Sequence, residues 1–336
     1  MRLSYAPWGA TIDEQVAGAV DAEAAGFTDV WVSELHRSAF VPAGAIARAT
    51  SRVGVGTAIA LAFTRSPMTT ALEAMDVDEI SGGRFILGLG SGVQRLNEDW
   101  HNVRFGKAVP HLRESVAIIR RFAAESHLGE TIAEDGEHER IRLRGYERPW
   151  PPARTPIPIY LAAVGDGMTR LCGEIADGWL GHELGSPRYT AEHIIPNIET
   201  GLARAGRARA DVALIASGCC AVDADGAQAK RWMAGLVAFY ATVRTYEAFF
   251  DFHGFAAEAA AIRERFKAGD EHGMVDACPA AMVDAFALAG TPDEVRERVR
   301  SYEGIVDGLK LSPPTHLVPE EVTRQMQKNI LEALAP

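Results

Sequence analysis

The stretch Ile80-Ser-Gly-Gly-Arg-Phe-Ile-Leu-Gly-Leu-Gly-Ser-Gly92 does most to limit what this chain can become. It reads as a helix end, a two-glycine turn, an apolar strand from Arg84 to Leu89 and a glycine-rich strand exit. Phe85, Ile86, Leu87 and Leu89 form a near-continuous apolar run, the pattern of a strand covered on both faces and hence of a parallel sheet beneath helices. Gly88, Gly90 and Gly92 then place positions without side chains where such a strand delivers its C-terminal end. Two readings stand for them: backbone that approaches a ligand closely, or tight strand-to-helix packing. A dinucleotide fingerprint would need glycine at 93 and an immediate helix, and Val93 with the polar residues from Gln94 to Pro110 argues against it.

The same unit recurs along the chain. After a first strand, Leu3 to Ala6, Thr11-x-x-Glu14 predicts a helix start and Gly26 its end, with Ile12, Val16, Val20 and Ala24 at i, i+4 spacing. Strands follow at Phe27 to Ser33 and Val53 to Leu61, and Ser66-Pro67 opens a helix with Met68, Leu72 and Met75 turned inward. Beyond the opening stretch, a helix around Leu112 to Phe122 precedes residues 127–155. These are charged and proline-rich, with one alternating run, Ile141-Arg-Leu143-Arg, and predict an inserted hairpin or lid. Further strands are predicted at Ile157 to Ala163, Trp179 to Gly181, Val212 to Val222 and Gly308 to Leu311. A helical excursion spans about 225–290, broken near His253-Gly254, and Thr291-Pro-Asp-Glu294 is a further capping box. A last helix runs from about Pro319 to Ala333. Eight strands alternating with helices predict an α/β chain folded as a (β/α)8 TIM barrel, with an insertion after helix four and extra C-terminal helices; a doubly wound sheet is the second choice.

A chain of 336 residues, 47% hydrophobic and 24% charged, is ordinary for one such domain. Its net charge of −11 argues against nucleic-acid partners and against an anionic membrane surface. The N-terminus enters a strand directly and no apolar run approaches the roughly 18 residues of a membrane span, so a cytoplasmic location is expected. Cys172, Cys219, Cys220 and Cys278 lack metal-ligand spacing, and buried reduced thiols with no metal are expected.

In a barrel the active site lies at the C-terminal strand ends. Those exits are Tyr5 to Trp8, Ser33 to Arg37, Thr57 to Thr64, Gly90 to Glu98, Ala162 to Gly165, Gly181 to Glu183, Ser217 to Cys220 and Ser312 to His316. They hold no Gly-x-Ser-x-Gly, His-Glu-x-x-His or phosphate-loop lysine motif. Three of them offer glycine, alanine and aliphatic backbone, which suits a flat cofactor that brings its own chemistry. Ala162-Ala-Val-Gly165 before a helix start reads as a phosphate or pyrimidine-edge site, or as a tight turn. Glu34 and His36 are candidates to move a proton, against a structural pairing of Glu34 with Arg37 or Arg65. His182 is a second candidate. Trp8, Tyr246 and His253 are candidates for a substrate pocket, although His253 in Tyr246-x-x-Phe-Phe-x-Phe-His253 also reads as packing.

Together these exits resemble the bacterial luciferase-like monooxygenase family, and its coenzyme F420-dependent oxidoreductases more closely than the luciferases. The matching stretches are Ala24-Ala-Gly-Phe-Thr-Asp-Val-Trp-Val-Ser-Glu34, Val55-Gly-Thr-Ala-Ile-Ala-Leu-Ala-Phe-Thr-Arg-Ser-Pro67, Ser81 to Gly92, Pro158-Ile-Tyr-Leu-Ala-Ala-Val-Gly165 with Glu174-Ile-Ala-Asp-Gly178, Phe239 to Gly254, and Asp284 to Glu294. The resemblance implies a TIM barrel and a non-proline cis peptide between Ala58 and Ile59 beneath a deazaflavin ring. It implies cofactor contacts at Gly90, Ser91 and Gly92 and at Ala162, Ala163, Val164 and Gly165. The implied activity is hydride transfer between F420 and a C=C, C=N or carbinol carbon of a small-molecule substrate, in a homodimer. An FMN-dependent monooxygenase is the alternative, and a non-catalytic F420-binding protein a third reading. Arg37, Arg65 and Arg95 are expected near the phosphate or tail of the cofactor. Two departures leave the proton donor open: Glu34-Leu35 stands where many relatives have Asp-His, and Val93-Gln94 where several carry an acid.

Overall fold

The computed structural model describes residues 1–335. Its strands are β1 (Arg2–Tyr5), β2 (Asp29–Val32), β3 (Gly54–Thr57), β4 (Ala60–Leu61), β5 (Phe85–Gly90), β6 (Ile132–Asp135), β7 (Arg140–Leu143), β8 (Ile159–Ala162), β9 (Gly178–Leu180), β10 (Ala213–Val222), β11 (Leu288–Gly290) and β12 (Gly308–Ser312). With β3 and β4 sharing one position, β6 and β7 forming a separate hairpin and β11 added beside β10, they supply the eight parallel strands of the expected (β/α)8 barrel.

The chain divides into two compact units. One comprises Thr28–Leu180 and Pro196–Leu214. Its strands run in the order β2-β3-β5-β8-β9, all parallel, with Val30 opposite Val55, Val55 opposite Phe85, Leu87 opposite Ile159 and Leu161 opposite Trp179. The helix Pro67–Ser81 starts as its sequence dictates: Ser66 Oγ accepts the Thr69 amide at 3.2 Å, Pro67 occupies the first turn, and Gly82 closes the helix with φ +66°. Arg84 then ties the start of β5 to the end of the helix Phe40–Ala49 by donating to the carbonyls of Ala47 and Thr50 at 2.9 Å and of Val53 at 2.5 Å. Residues 127–155 contain the expected hairpin, β6 antiparallel to β7 with Ala133 opposite Arg142.

The other unit comprises Met1–Phe27, Gly181–Ile195 and the chain from Ile215 onward. Here β12 lies between β1 and β10, with Leu309 opposite both Leu3 and Ala216. The helical excursion has its own apolar core, with Met233, Val237, Phe250, Ile262, Met282 and Phe286 each no more than 3% exposed.

Three expectations need correction. The third strand is not continuous from Val53 to Leu61; it is interrupted after Thr57 and resumes at Ala60, because the Ala58–Ile59 peptide is cis. Leu288–Gly290, at the end of the expected helical excursion of about 225–290, is a strand paired in parallel with Cys220–Val222. The excursion breaks at 242–246, 268–270 and 277–279 as well as at His253-Gly254, into Gly226–Ala241, Glu247–Phe252, Ala256–Lys267, Glu271–Asp276 and Ala280–Phe286. All four cysteines are buried free thiols. Among the described residues no helix is long and apolar enough to cross a membrane.

Candidate active site

In the Thr28–Leu180 unit, three strand exits form a surface made almost wholly of backbone and small apolar side chains. The segment Ala58–Leu61 hangs from the end of β2: the Ala58 amide donates to the Val32 carbonyl at 2.7 Å, and the Glu34 amide to the Ile59 carbonyl at 3.0 Å. Glu34 reaches the same segment with its side chain. One carboxylate oxygen accepts the Leu61 amide at 2.8 Å and the other is ion-paired with Arg65. Arg65 also meets Glu73 at 3.1 Å and lies 5.1 Å above the Phe40 ring. Burial, reinforced by the Glu34 charge, raises the Glu73 pKa against the pull of Arg65. Glu34 therefore takes the structural pairing with Arg65, while His36 is exposed on the bend that follows. Of the other arginines, Arg95 is exposed and pairs with Asp99 at 3.3 Å.

Leu61 pairs with Gly90 across β4 and β5, and the Ala62 amide donates to the Gly90 carbonyl at 2.9 Å. A Cβ on Gly90 would lie 2.4 Å from Ile59 Cδ1, so the space this glycine leaves is filled by Ile59. Beyond it, Asn97 is fully buried and donates to the carbonyls of Ser91 at 2.8 Å and Val93 at 3.0 Å, which fixes the loop after β5. The sequence reading passed over Asn97. Its signal was weak, since it is one of three amide side chains in this loop, with Gln94 and Asn102.

At the β8 exit, Gly165 precedes the helix Asp166–Ile175 with no side-chain cap, leaving first-turn amides without intrahelical partners. A Cβ on Gly165 would meet nothing within 4 Å. The indole N–H of Trp179 donates to the Ala163 carbonyl at 2.9 Å and holds this exit in place. Ala162, Val164, Ala58, Ile59, Ser91 and Gly92 are all partly accessible.

In the other unit a polar cluster gathers around Glu183, the residue after the His182 that the sequence singled out. Glu183 Oε1 lies 3.8 Å from the Nζ of Lys310, a residue of β12 that is 5% exposed, and Glu183 Oε2 accepts from the Tyr240 hydroxyl at 3.3 Å. Cys219 Sγ approaches both Glu183 and Ser312 at 3.8 Å. Burial alone would raise the Glu183 pKa, but Lys310, His182, the Ser312 hydroxyl and His316 outweigh it and hold the carboxyl below its ordinary value. Burial, with help from the Glu183 charge, pushes the Tyr240 phenol well up. His182 is pushed down to about 4 by burial and by Lys310. Its Nδ1 accepts the Leu184 amide at 3.0 Å, so the neutral ring carries its proton on Nε2. The ring stacks on Tyr246, centroids 4.2 Å apart, and meets the edge of Tyr240 at 4.7 Å. His182 and Tyr246 thus come together. Glu183, Tyr240 and Lys310 escaped the sequence reading because they come from three elements far apart in the chain.

Trp8 and His253 lie elsewhere in this unit. Gln327 clasps the Trp8 backbone, accepting its amide at 2.8 Å and donating to its carbonyl at 3.1 Å, and Arg324 stands 5.3 Å over the indole. His253 sits among Phe249, Phe252 and Phe286, with ring centroids 4.9–5.1 Å away, and its Nε2 is 3.0 Å from the Ser186 hydroxyl. Burial and Arg188 push its pKa down to about 4.

The strand order is that of the (β/α)8 barrels. This chain belongs to the luciferase-like monooxygenase family, whose profile matches residues 2–307. An uncharacterized protein of Mycobacterium tuberculosis (strain H37Rv) is 33% identical over 308 residues, 88% of this chain and 90% of its own. The 5,10-methylenetetrahydromethanopterin reductase of Methanolobus tindarius is 31% identical over 282 residues, 83% of each chain. Among solved structures, the coenzyme F420-dependent tetrahydromethanopterin reductase from Methanopyrus kandleri has the same fold, with a TM-score of 0.84 over 99% of this chain and 98% of its own at 22% identity.

Proposed function

We propose that this chain is an F420-dependent oxidoreductase that moves a hydride between the deazaflavin and a small organic substrate with a C=C, C=N or alcohol/ketone carbon. The observation that carries this reading is the backbone shelf of Ala58, Ile59, Gly90 to Gly92 and Ala162 to Gly165. A flat ring needs a surface free of bulky side chains, and at Gly165 an added Cβ would meet only open space. F420, when bound, supplies the two-electron hydride chemistry. The chain supplies the rest. Glu34 and Arg65 hold the Ala58–Leu61 backbone, and the positive end of the helix Asp166–Ile175, which Gly165 leaves without a side-chain cap, suits a polar edge or a phosphate. Within the other unit, the Nε2–H of His182 and the Glu183 carboxylate, which already accepts from the Tyr240 hydroxyl, offer one donor and one anionic acceptor to a polar group. The relatives named for F420 chemistry support the same reading. An FMN-dependent monooxygenase is the second reading, favoured by the family's own description. We place the enzyme in the cytoplasm as a homodimer acting on a small molecule, with no nucleic-acid or membrane partner.

Gly165→Val tests the shelf, because the fold has room for the new side chain while a ring at that exit does not. The expected result is an unchanged melting temperature with at least about tenfold weaker F420 binding, roughly 1.4 kcal/mol; unchanged affinity would overturn the placement.

A further inference from the structure

His111 stands in the first turn of the helix Ala108–Glu125, and both of its ring nitrogens face acceptors. Nδ1 is 2.9 Å from the Phe105 carbonyl oxygen and Nε2 is 3.0 Å from the Glu139 carboxylate. A neutral imidazole has one N–H and can satisfy only one of them, whereas an imidazolium satisfies both. The ring has little access to water: it is 6% exposed, stacked on Phe63 at 3.7 Å with planes 1° apart, and covered by the His138 ring at 5.1 Å and 18°. A cation over a phenylalanine face gains further from the ring quadrupole.

Glu139 and His138 belong to the tip of the β6–β7 hairpin, so this stack joins the insertion to the helix and to Phe63. The tip has a second fastening. Glu114 accepts the amides of Glu137 at 3.1 Å and of His138 and Glu139 at 2.8 Å. Gly136 allows this approach, since a Cβ there would lie 2.3 Å from Glu114 Oε2. The titratable and charged groups around His111 are therefore Glu139 and His138 from the hairpin and Glu114 from its own helix. Lys107, just before the helix, is drawn to Glu137 at 3.7 Å, and the Ser115 hydroxyl donates to Glu139 at 3.3 Å. Burial opposes a charge on His111, but the Glu139 and Phe105 hydrogen bonds and the charges of Glu139 and Glu114 outweigh it and raise its pKa.

We propose that His111 is a pH-operated latch: as an imidazolium it holds the hairpin tip, its own helix and the Phe63 ring in one stack, and on losing its proton it gives up one of its two hydrogen bonds and the tip loosens. Phe63 lies two residues past β4, on the same run of backbone as Ala58 to Leu61, so the latch is also felt at that strand exit. A histidine whose folded-state pKa is raised contributes its stability in full below the unfolded value and loses it as the pH rises through the folded one. The tip is thus tightest at low pH and loosens as the pH rises through the raised His111 value. For Glu114, burial is outweighed by the three amides, which keep its carboxyl below the ordinary range, so its hold persists throughout and the change falls to His111.

The test is hydrogen exchange on the full-length protein from about pH 6 to about pH 9, corrected for intrinsic rates, beside an NMR titration of the histidine rings. Protection at residues 136–139 and 62–64 should fall with rising pH, with the midpoint of the His111 titration, while the middle of the helix 108–125 stays protected. His111→Phe keeps a ring in the stack and should leave the tip equally loosened at every pH, with protection no longer falling as the pH rises; His138→Gln should keep the pH dependence. Flat protection in the wild type, or an unaltered pH dependence in His111→Phe, would overturn the latch. Should His111→Phe fail to fold, Glu139→Gln reads the same relation: the His111 midpoint and the loosening of the tip should move together to lower pH, and an unmoved midpoint counts against it.

Discussion

Glu34 and Arg65 form an ion pair at the mouth of the third barrel strand, with side chains only 10% and 14% exposed, and the same carboxylate caps the Leu61 amide. This gives Glu34 the task of holding backbone. Glu34→Gln should cost about 1–3 kcal/mol of stability, the range for losing a charged hydrogen bond at a largely buried site. Urea titration measures it, and F420 affinity should weaken with it. Unchanged stability with abolished turnover would instead make Glu34 a proton carrier.

Thr57 and Gly88 grip one another across β3 and β5. The Thr57 hydroxyl donates to the Gly88 carbonyl at 2.7 Å and accepts the Gly88 amide at 2.9 Å, and Thr57 is fully buried. Thr57→Val keeps the shape and strands both groups, so a loss of about 1–3 kcal/mol for each is expected in denaturant titration. Gly88→Ala should be worse, because its Cβ would fall 1.8 Å from the Thr57 carbonyl oxygen.

Asn97 separates stability from binding. Its amide fixes the Ser91 and Val93 carbonyls, so Asn97→Leu should loosen Gly90 to Val93 and raise the F420 dissociation constant several-fold. Hydrogen exchange in the 91–97 loop should rise in parallel; stronger exchange with unchanged affinity would take this loop out of the cofactor surface.

His182 and His253 both have folded-state pKa values pushed down to about 4 from the ordinary 6.5. A histidine depressed in this way contributes stability that is present above its unfolded value and lost as the pH falls toward the folded one. Stability should therefore decline from about pH 6.5 toward pH 4, opposite in sign to His111. His253→Gln should flatten that slope when denaturant midpoints are compared across the range.

Periodicity made the barrel legible, because strands such as Phe85–Gly90 and helices opened by Thr11, Ser66 and Thr291 each carry their own local signal. Leu288–Gly290 was missed because three residues between two helices carry none. The strand exits located the shelf, yet they could not tell that Ile59 fills the space beside Gly90 or that Arg65 claims Glu34 from 31 positions away. Glu183 shows the limit most clearly. Its partners Lys310 and Tyr240 lie on a strand and a helix distant in sequence, and only folding brings them together.

The central claim is the identity of the cofactor. Equilibrium titration of the purified protein with oxidised F420 and, separately, with FMN tests it most directly, read by the visible absorbance of each ring. Saturable binding of one F420 per chain, at least about tenfold tighter than FMN, is the predicted result. Tight FMN binding with no F420 binding would contradict it.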